Sequence, residues 1–183
     1  MGVKALVYEA VARATLLYGV ETWVLRAADL RRLAVFDRGR VRWVAGVRGR
    51  RLGGAELEMR TGLKRLEGVV VERRWRWLGH VLRLPESRWP RRVLEWSGGE
   101  EEGAVRRQGA PKLGWVRQVV WEGWSGICWQ RLDIAKPHWL HWKKGKWCEI
   151  LRGLAVDRAL WRCVSASVVI ASVAIDGPFG LGY

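Results

Sequence analysis

The segment from Leu66 to Leu84 places the tightest constraint on the fold, because its apolar residues recur every three and four positions over about five helical turns. Steps of about 100° per residue gather these side chains into one arc. The arc contains Leu66, Val70, Val71, Trp77, Leu78, Val81 and Leu82. Pro85 then ends the helix, since proline lacks the backbone N–H that a helix needs. The pattern therefore predicts a long, packed helix with Trp77 in the centre of its buried arc.

The other side of this helix is mainly cationic and is a candidate binding face. Its members are Glu72, Arg73, Arg76, His80 and Arg83. Trp75 falls at the far edge of the apolar arc, where its ring would be available to stack on a base. Arg74 lies inside the apolar arc, and the periodicity does not explain it.

Further helices are predicted on both sides of this segment. The first eighteen residues have apolar side chains at helical spacing, and Gly19 follows as a terminator. A second helix follows, with a buried stripe made of Leu30, Leu33, Phe36, Val41 and Val44. A short helix is predicted over 55–62 and a longer one from Lys146 to Cys163. The fold class is therefore mainly α.

The composition changes along the chain and suggests four regions. Residues 1–96 are predicted to form a small helical bundle, and the Gly-rich, charged residues 97–114 a flexible linker. Residues 115–163 form a loosely ordered, tryptophan-rich region with one further helix, and residues 164–183 an irregular tail.

The net charge of +15 favours a polyanionic partner. Most of the excess falls between residues 38 and 92, which carry sixteen basic and five acidic side chains. The functional interpretation is a groove for RNA or an RNA/DNA hybrid, in which arginines neutralise phosphates and an aromatic ring stacks on a base. The alternative is a solvated face above core tryptophans. The candidate nucleic-acid-binding residues are Trp75, Arg73, Arg76, His80, Arg83, Arg91 and Arg92.

The chain carries little that would support catalysis, a metal or a cofactor. His80 has no carboxylate or nucleophile placed to partner it. A metal site built from Cys128, His138, His141 and Cys148 would have a spacing unlike the usual Cys/His patterns. We therefore expect no catalytic residue, metal, cofactor or small-molecule substrate.

The three cysteines form no C-x-x-C pair, which favours a reducing compartment, nuclear or cytoplasmic. The apolar run at 164–175 is too short to span a bilayer, so no membrane role is expected.

Three ordered motifs carry a family resemblance: "LLYGVETW" at 16–23, "RTGLKRLEG" at 60–68 and "RWLGH" at 76–80, followed by the P-R-R stretch at 90–92. Together they resemble the segment that follows the polymerase palm in reverse transcriptases of non-LTR (LINE-like) retrotransposons. A later A-x-D-R-x-x-W-R element of that family is echoed at 155–162. The likeness runs from residue 1 to about 163, strongest up to Trp96.

This resemblance implies a thumb-side fragment of an RNA-directed DNA polymerase, without the palm and the endonuclease. In the family the paired catalytic carboxylates lie upstream of the matching segment, and the five aspartates of this chain include no adjacent pair. We therefore expect no enzymatic activity and at most non-specific RNA or DNA binding. Two other interpretations stay open: a translated remnant without function, and a helical module that binds protein through exposed tryptophans.

Overall fold

The computed structural model describes residues 2–47, 52–95, 115–124 and 146–174, and within these ranges it contains eight helices and no strand. Helix α1 is continuous from Val3 to Leu16 and consists of an α segment, a π segment at Tyr8–Arg13 and a short α segment. The others are α2 (Ala27–Val44), α3 (Gly54–Thr61), α4 (Leu66–Leu82), α5 (Trp89–Glu95), α6 (Trp115–Trp124), α7 (Lys146–Val156) and α8 (Arg158–Ala174). A 3₁₀ turn, Val20–Thr22, follows α1. The mainly α prediction is confirmed.

Helix α4 is the centre of the molecule. It packs against α2, α5, α6, α7, α8 and the 3₁₀ turn, and its most extensive packing interface is with α8. The largest buried cluster joins α4 side chains to residues of α5, α6, α7 and α8, among them Val119, Leu151, Trp161 and Val164. The predicted separation of an N-terminal bundle from a loosely ordered C-terminal region therefore does not describe the core. The predicted linker, residues 97–114, lies outside the described residues.

Three described glycines, Gly19, Gly46 and Gly62, follow helices in the left-handed conformation, where a side chain would be strained. Gly19 follows α1 at φ 69°, and Gly62 follows α3 at φ 70°, its N–H donating to the Glu58 carbonyl at 2.7 Å. The helix end predicted from Gly19 is confirmed, and so is the short helix predicted over 55–62, to within one residue at each end.

The C-terminal helices differ from the prediction of one helix from Lys146 to Cys163. Asp157 interrupts it, because its Oδ1 accepts hydrogen bonds from the backbone N–H groups of Ala159 (2.7 Å) and Leu160 (3.1 Å) and so caps a new helix. Helix α8 then runs to Ala174, with Val164 and Val168 buried, so residues 164–174 are helical rather than irregular. Residues 175–183 lie outside the described residues.

Helix α2 buries a carboxylate where its apolar stripe predicted a phenylalanine. Asp37 is buried and Phe36 is half exposed. The buried Arg13 donates to Asp37 through Nε (3.0 Å) and Nη2 (2.7 Å), and the Tyr8 hydroxyl donates to Asp37 Oδ1 at 2.9 Å. Tyr8 and Arg13 both belong to the π segment of α1. Their hydrogen bonds to Asp37 therefore join α1 to α2 below the protein surface.

Candidate nucleic-acid interface

The outer face of α4 presents two of its predicted binding residues to solvent. The Arg76 side chain is 75% exposed and donates through Nη2 to Glu72 Oε1 at 2.9 Å. His80 is exposed, and its ring stacks on Trp77 with the ring centroids 5.4 Å apart. Trp77 is therefore half buried at the margin of the core, rather than in its centre as predicted.

Arg73 and Arg83 lie on the same face, but each also holds a neighbouring segment. Arg73 Nη1 donates to the Leu17 carbonyl, and Arg83 Nη1 donates to the Ala155 carbonyl, both at 3.1 Å. Burial, followed by the nearby charge of Arg158, lowers the pKa of Arg83. These two arginines therefore attach the end of α1 and the end of α7 to α4.

Trp75 is not a surface residue, so its prediction as a base-stacking ring is wrong. Its side chain is 0% exposed and stacks on Trp161, with the ring centroids 5.4 Å apart. The Trp161 Nε1–H donates to the Trp75 carbonyl at 3.1 Å. Gly123 of α6 lies so close to Trp75 that a Cβ there would overlap the indole. The edge of the apolar arc is thus covered by α6 and α8.

The P-R-R stretch divides between the interior and the surface. Arg91 is 1% exposed, so it does not form part of the binding surface predicted for it. Arg92 is exposed, and its guanidinium lies 4.8 Å from the ring centroid of Trp89, which is itself 72% exposed. Trp89 is therefore the aromatic ring beside an exposed arginine in this region.

Sequence reasoning missed Trp89, although a signal for it exists. The ring directly precedes Pro90 at the start of a seven-residue helix, where a side chain meets few neighbours. We define the α4–α5 basic surface as the exposed residues Arg76, His80, Arg88, Trp89 and Arg92. Glu86, close to it in sequence, is paired with Arg152 at 2.7 Å.

The part of the chain that the structure describes contains no group of three His, Cys, Asp or Glu side chains able to hold a metal ion. Of the four candidate metal ligands, only Cys148 is described, and it is buried; the other three lie outside the described residues. In the same ranges no helix combines the length and the apolar character needed to cross a membrane.

Comparisons of the chain with protein-family models, with curated proteins and with solved structures give no match.

Proposed function

We propose that this chain is a post-palm, thumb-side segment of a non-LTR reverse transcriptase and that it binds RNA or an RNA/DNA hybrid through the α4–α5 basic surface, without sequence preference. The observation that carries the proposal is the exposed Trp89 ring directly beside the exposed Arg92, with Arg76 and His80 on the outer face of α4. Arginines neutralise phosphates, and an exposed ring stacks on any base. Contacts of both kinds bind without reading sequence.

The family origin is supported by the structural roles of the motif residues, which end helices or pack in the core. Gly19 and Gly62 belong to two of the motifs, and each ends a helix at positive φ. Gly79 of "RWLGH" lies against the indole of Trp161, which belongs to the last resembling element, more than eighty positions along the chain. Motifs far apart in sequence thus meet in one core.

A protein-binding module is the second candidate, and the outer face of α1 favours it. Val3, Val7 and Val11 are each more than half exposed, and they lie at four-residue spacing. Contiguous exposed apolar side chains of this kind mark protein interaction sites. If α1 binds a protein through these apolar side chains, the affinity should change little with salt concentration. If the chain binds nucleic acid, the affinity should fall strongly as salt concentration rises. In either case we propose an intracellular, nuclear or cytoplasmic location.

The proposal is tested by the salt dependence of binding to a fluorescent RNA strand and an RNA/DNA hybrid, measured by anisotropy. The test variant replaces Arg76 and Arg92 by glutamine and leaves Arg73 and Arg83 intact, because those two hold backbone carbonyls. Each phosphate contact on a single strand contributes about −0.7 to the slope of log K against log salt. Loss of two contacts should therefore flatten the slope by about 1.4.

A matched control replaces Arg60 and Arg162 by glutamine. Arg60 pairs with Glu56 four residues away, as Arg76 pairs with Glu72, and Arg162 is exposed like Arg92. The control removes the same net charge from other surfaces. Equal slopes for the test and control variants would refute the α4–α5 assignment, and a parent chain that binds neither probe would refute the function.

A further inference from the structure

Helix α2 has a strongly cationic solvent face. From Leu30 to Val44 it contains five arginines and a single carboxylate, Asp37. That carboxylate is buried and already neutralised by Arg13. The exposed charged side chains of this stretch are therefore all cationic, and Asp29, a half-exposed acid one residue before it, lies 4.0 Å from Arg32. Such a face is complementary to a polyanion.

One stripe of this face alternates cations with aromatic rings. Arg32, Phe36, Arg40 and Trp43 follow each other at four-, four- and three-residue spacing, so they lie on one side of α2. The Phe36 and Trp43 side chains are 50% and 54% exposed. We call these four residues the α2 stripe. The alternation of charge and flat ring corresponds to the alternation of phosphate and base along a single nucleic-acid strand.

The Arg40 guanidinium is oriented by the Phe36 ring. Its guanidinium carbon lies 5.1 Å from the ring centroid of Phe36, so the flat face of the cation is supported by the ring. In the described part of the structure no carboxylate pairs with it. Its N–H groups therefore remain available in the plane of the guanidinium, the direction from which arginine binds phosphate oxygens.

A groove lies beside the stripe and provides room for a base. It has a volume of about 470 Å³ and runs between α1 and α2. Its lining is Tyr8, Ala12, Thr15 and Leu16 of α1 with Phe36, Arg40, Trp43 and Val44 of α2. An apolar floor with aromatic walls and one cation is the usual composition of a small-ligand site. The exposed acid on the neighbouring turn of α1 is Glu9.

We propose that the α2 stripe is a binding site for single-stranded nucleic acid, in which a base enters the α1–α2 groove against Phe36 and Trp43 while Arg32 and Arg40 bind the flanking phosphates. This inference rests on the proposed nucleic-acid-binding function, but it uses a surface separate from α4 and α5. An apolar protein partner is less complementary to this surface, because it would leave these arginines against a face without counter-charge.

The test compares two fluorescent strands of equal length, about twelve nucleotides, within the span that single-strand-binding sites cover. One is a thymidine oligonucleotide and the other is an abasic strand with the same phosphates. The parent chain should bind the thymidine strand more tightly, because only that strand has bases to stack. Phe36→Leu with Trp43→Leu should weaken thymidine binding by about 5- to 150-fold and leave abasic binding and the salt slope unchanged. Tyr18→Leu, which removes a ring that is 83% exposed at the end of α1, is the control.

The charges are tested separately. Arg32→Gln with Arg40→Gln should flatten the salt slope for both strands by about 1.4, whereas the Arg60→Gln and Arg162→Gln control should keep the parent salt slope. Thermal melting by circular dichroism checks that each variant folds. If the leucine variant keeps the parent preference for thymidine over the abasic strand, the α2 stripe is not the site.

The outcomes separate this inference from the proposed function. If Phe36→Leu with Trp43→Leu binds the thymidine strand as tightly as the parent does, the stripe alone is overturned. If Arg76→Gln with Arg92→Gln keeps the parent salt slope, the α4–α5 surface alone is overturned. A parent that binds neither strand overturns both. If sedimentation finds that the parent dimerises and the leucine variant does not, with strand binding unchanged, the groove is a contact between copies and the proposal is wrong.

Discussion

Replacement of Gly79 by alanine should destabilise the protein, although alanine is the better helix former. Gly79 stands inside α4, and a Cβ at this position would overlap Nε1, Cε2 and Cδ1 of Trp161. The Trp161 indole cannot simply turn away. It is buried, stacks on Trp75 and donates to the Trp75 carbonyl at 3.1 Å. The added methyl must therefore displace a ring that joins α8 to α4.

The expected cost follows from these contacts. Insertion of a methyl group into a packed core costs about 1–3 kcal/mol. Loss of the aromatic pair adds about 0.5–1.5 kcal/mol, and loss of the indole hydrogen bond adds about 0.5–1.5 kcal/mol. Alanine returns about 1 kcal/mol through its helix propensity. The net decrease in the free energy of unfolding is about 3 kcal/mol, which corresponds to a melting temperature lower by about 6–12 °C for a chain of this length.

Urea unfolding followed by far-UV circular dichroism measures this change, and Gly39→Ala is the control. Gly39 is exposed within α2, and nothing lies within 4 Å of a Cβ built there. Its replacement should stabilise the chain by about 0.5–1 kcal/mol. An unchanged or raised melting temperature for Gly79→Ala would refute the packing of α8 against α4.

Three further predictions concern the buried network and primer extension by the chain. Burial, followed by the charge of Asp37, raises the pKa of Tyr8 well above its ordinary value of 10.0. The contribution of Tyr8 to the stability of the fold should therefore be complete below pH 10 and should decrease above pH 10, where the tyrosine of the unfolded chain ionises. Tyr8→Phe should therefore flatten the alkaline loss in urea unfolding, and an unchanged pH profile would contradict this. Arg13→Met should lower the free energy of unfolding by about 3–5 kcal/mol because it leaves Asp37 buried without its cation. Adding Asp37→Leu to make a double variant should recover most of that loss. A double variant whose loss equals the sum of the two single losses would contradict a direct interaction between Arg13 and Asp37. The purified chain with Mg²⁺ or Mn²⁺ should extend no primer, and template-dependent incorporation by a preparation free of other polymerases would overturn the fragment proposal.

The periodicity of α4 was sufficient to predict a central helix, but not which tryptophan it buries. The periodicity places Trp77 in the centre of the apolar arc and Trp75 at its far edge, but the true extent of the buried face is set by the helices that pack there. The covering helices are α6 and α8, and α6 begins at Trp115, more than thirty positions after α4 ends at Leu82. The local signal for a close neighbour was Gly79, because a glycine inside a helical pattern often marks close packing.

Arg74 illustrates a second limit of sequence reasoning. Its position in the apolar arc had no explanation, and the structure supplies one: Nη2 donates to the Trp23 carbonyl at 2.8 Å. Trp23 belongs to the non-helical connection between the 3₁₀ turn and α2, where carbonyl groups have no partner within a helix. A buried backbone acceptor needs a donor, and no periodicity reveals which side chain supplies it.

A count of basic residues is consequently a poor measure of binding surface in this chain. Arg13, Arg74 and Arg91 are among its largest fully buried side chains, although two of them stand in the most arginine-rich part of the sequence. Arginine is suited to such internal positions, because its five N–H donors can satisfy several acceptors while its charge persists. Among the described residues, exposed arginines lie beside half- or mostly exposed aromatic rings on α2 and α5. Affinity for RNA should therefore follow substitutions of the exposed Arg32, Arg40, Arg76 and Arg92 more closely than substitutions of the buried Arg74 and Arg91.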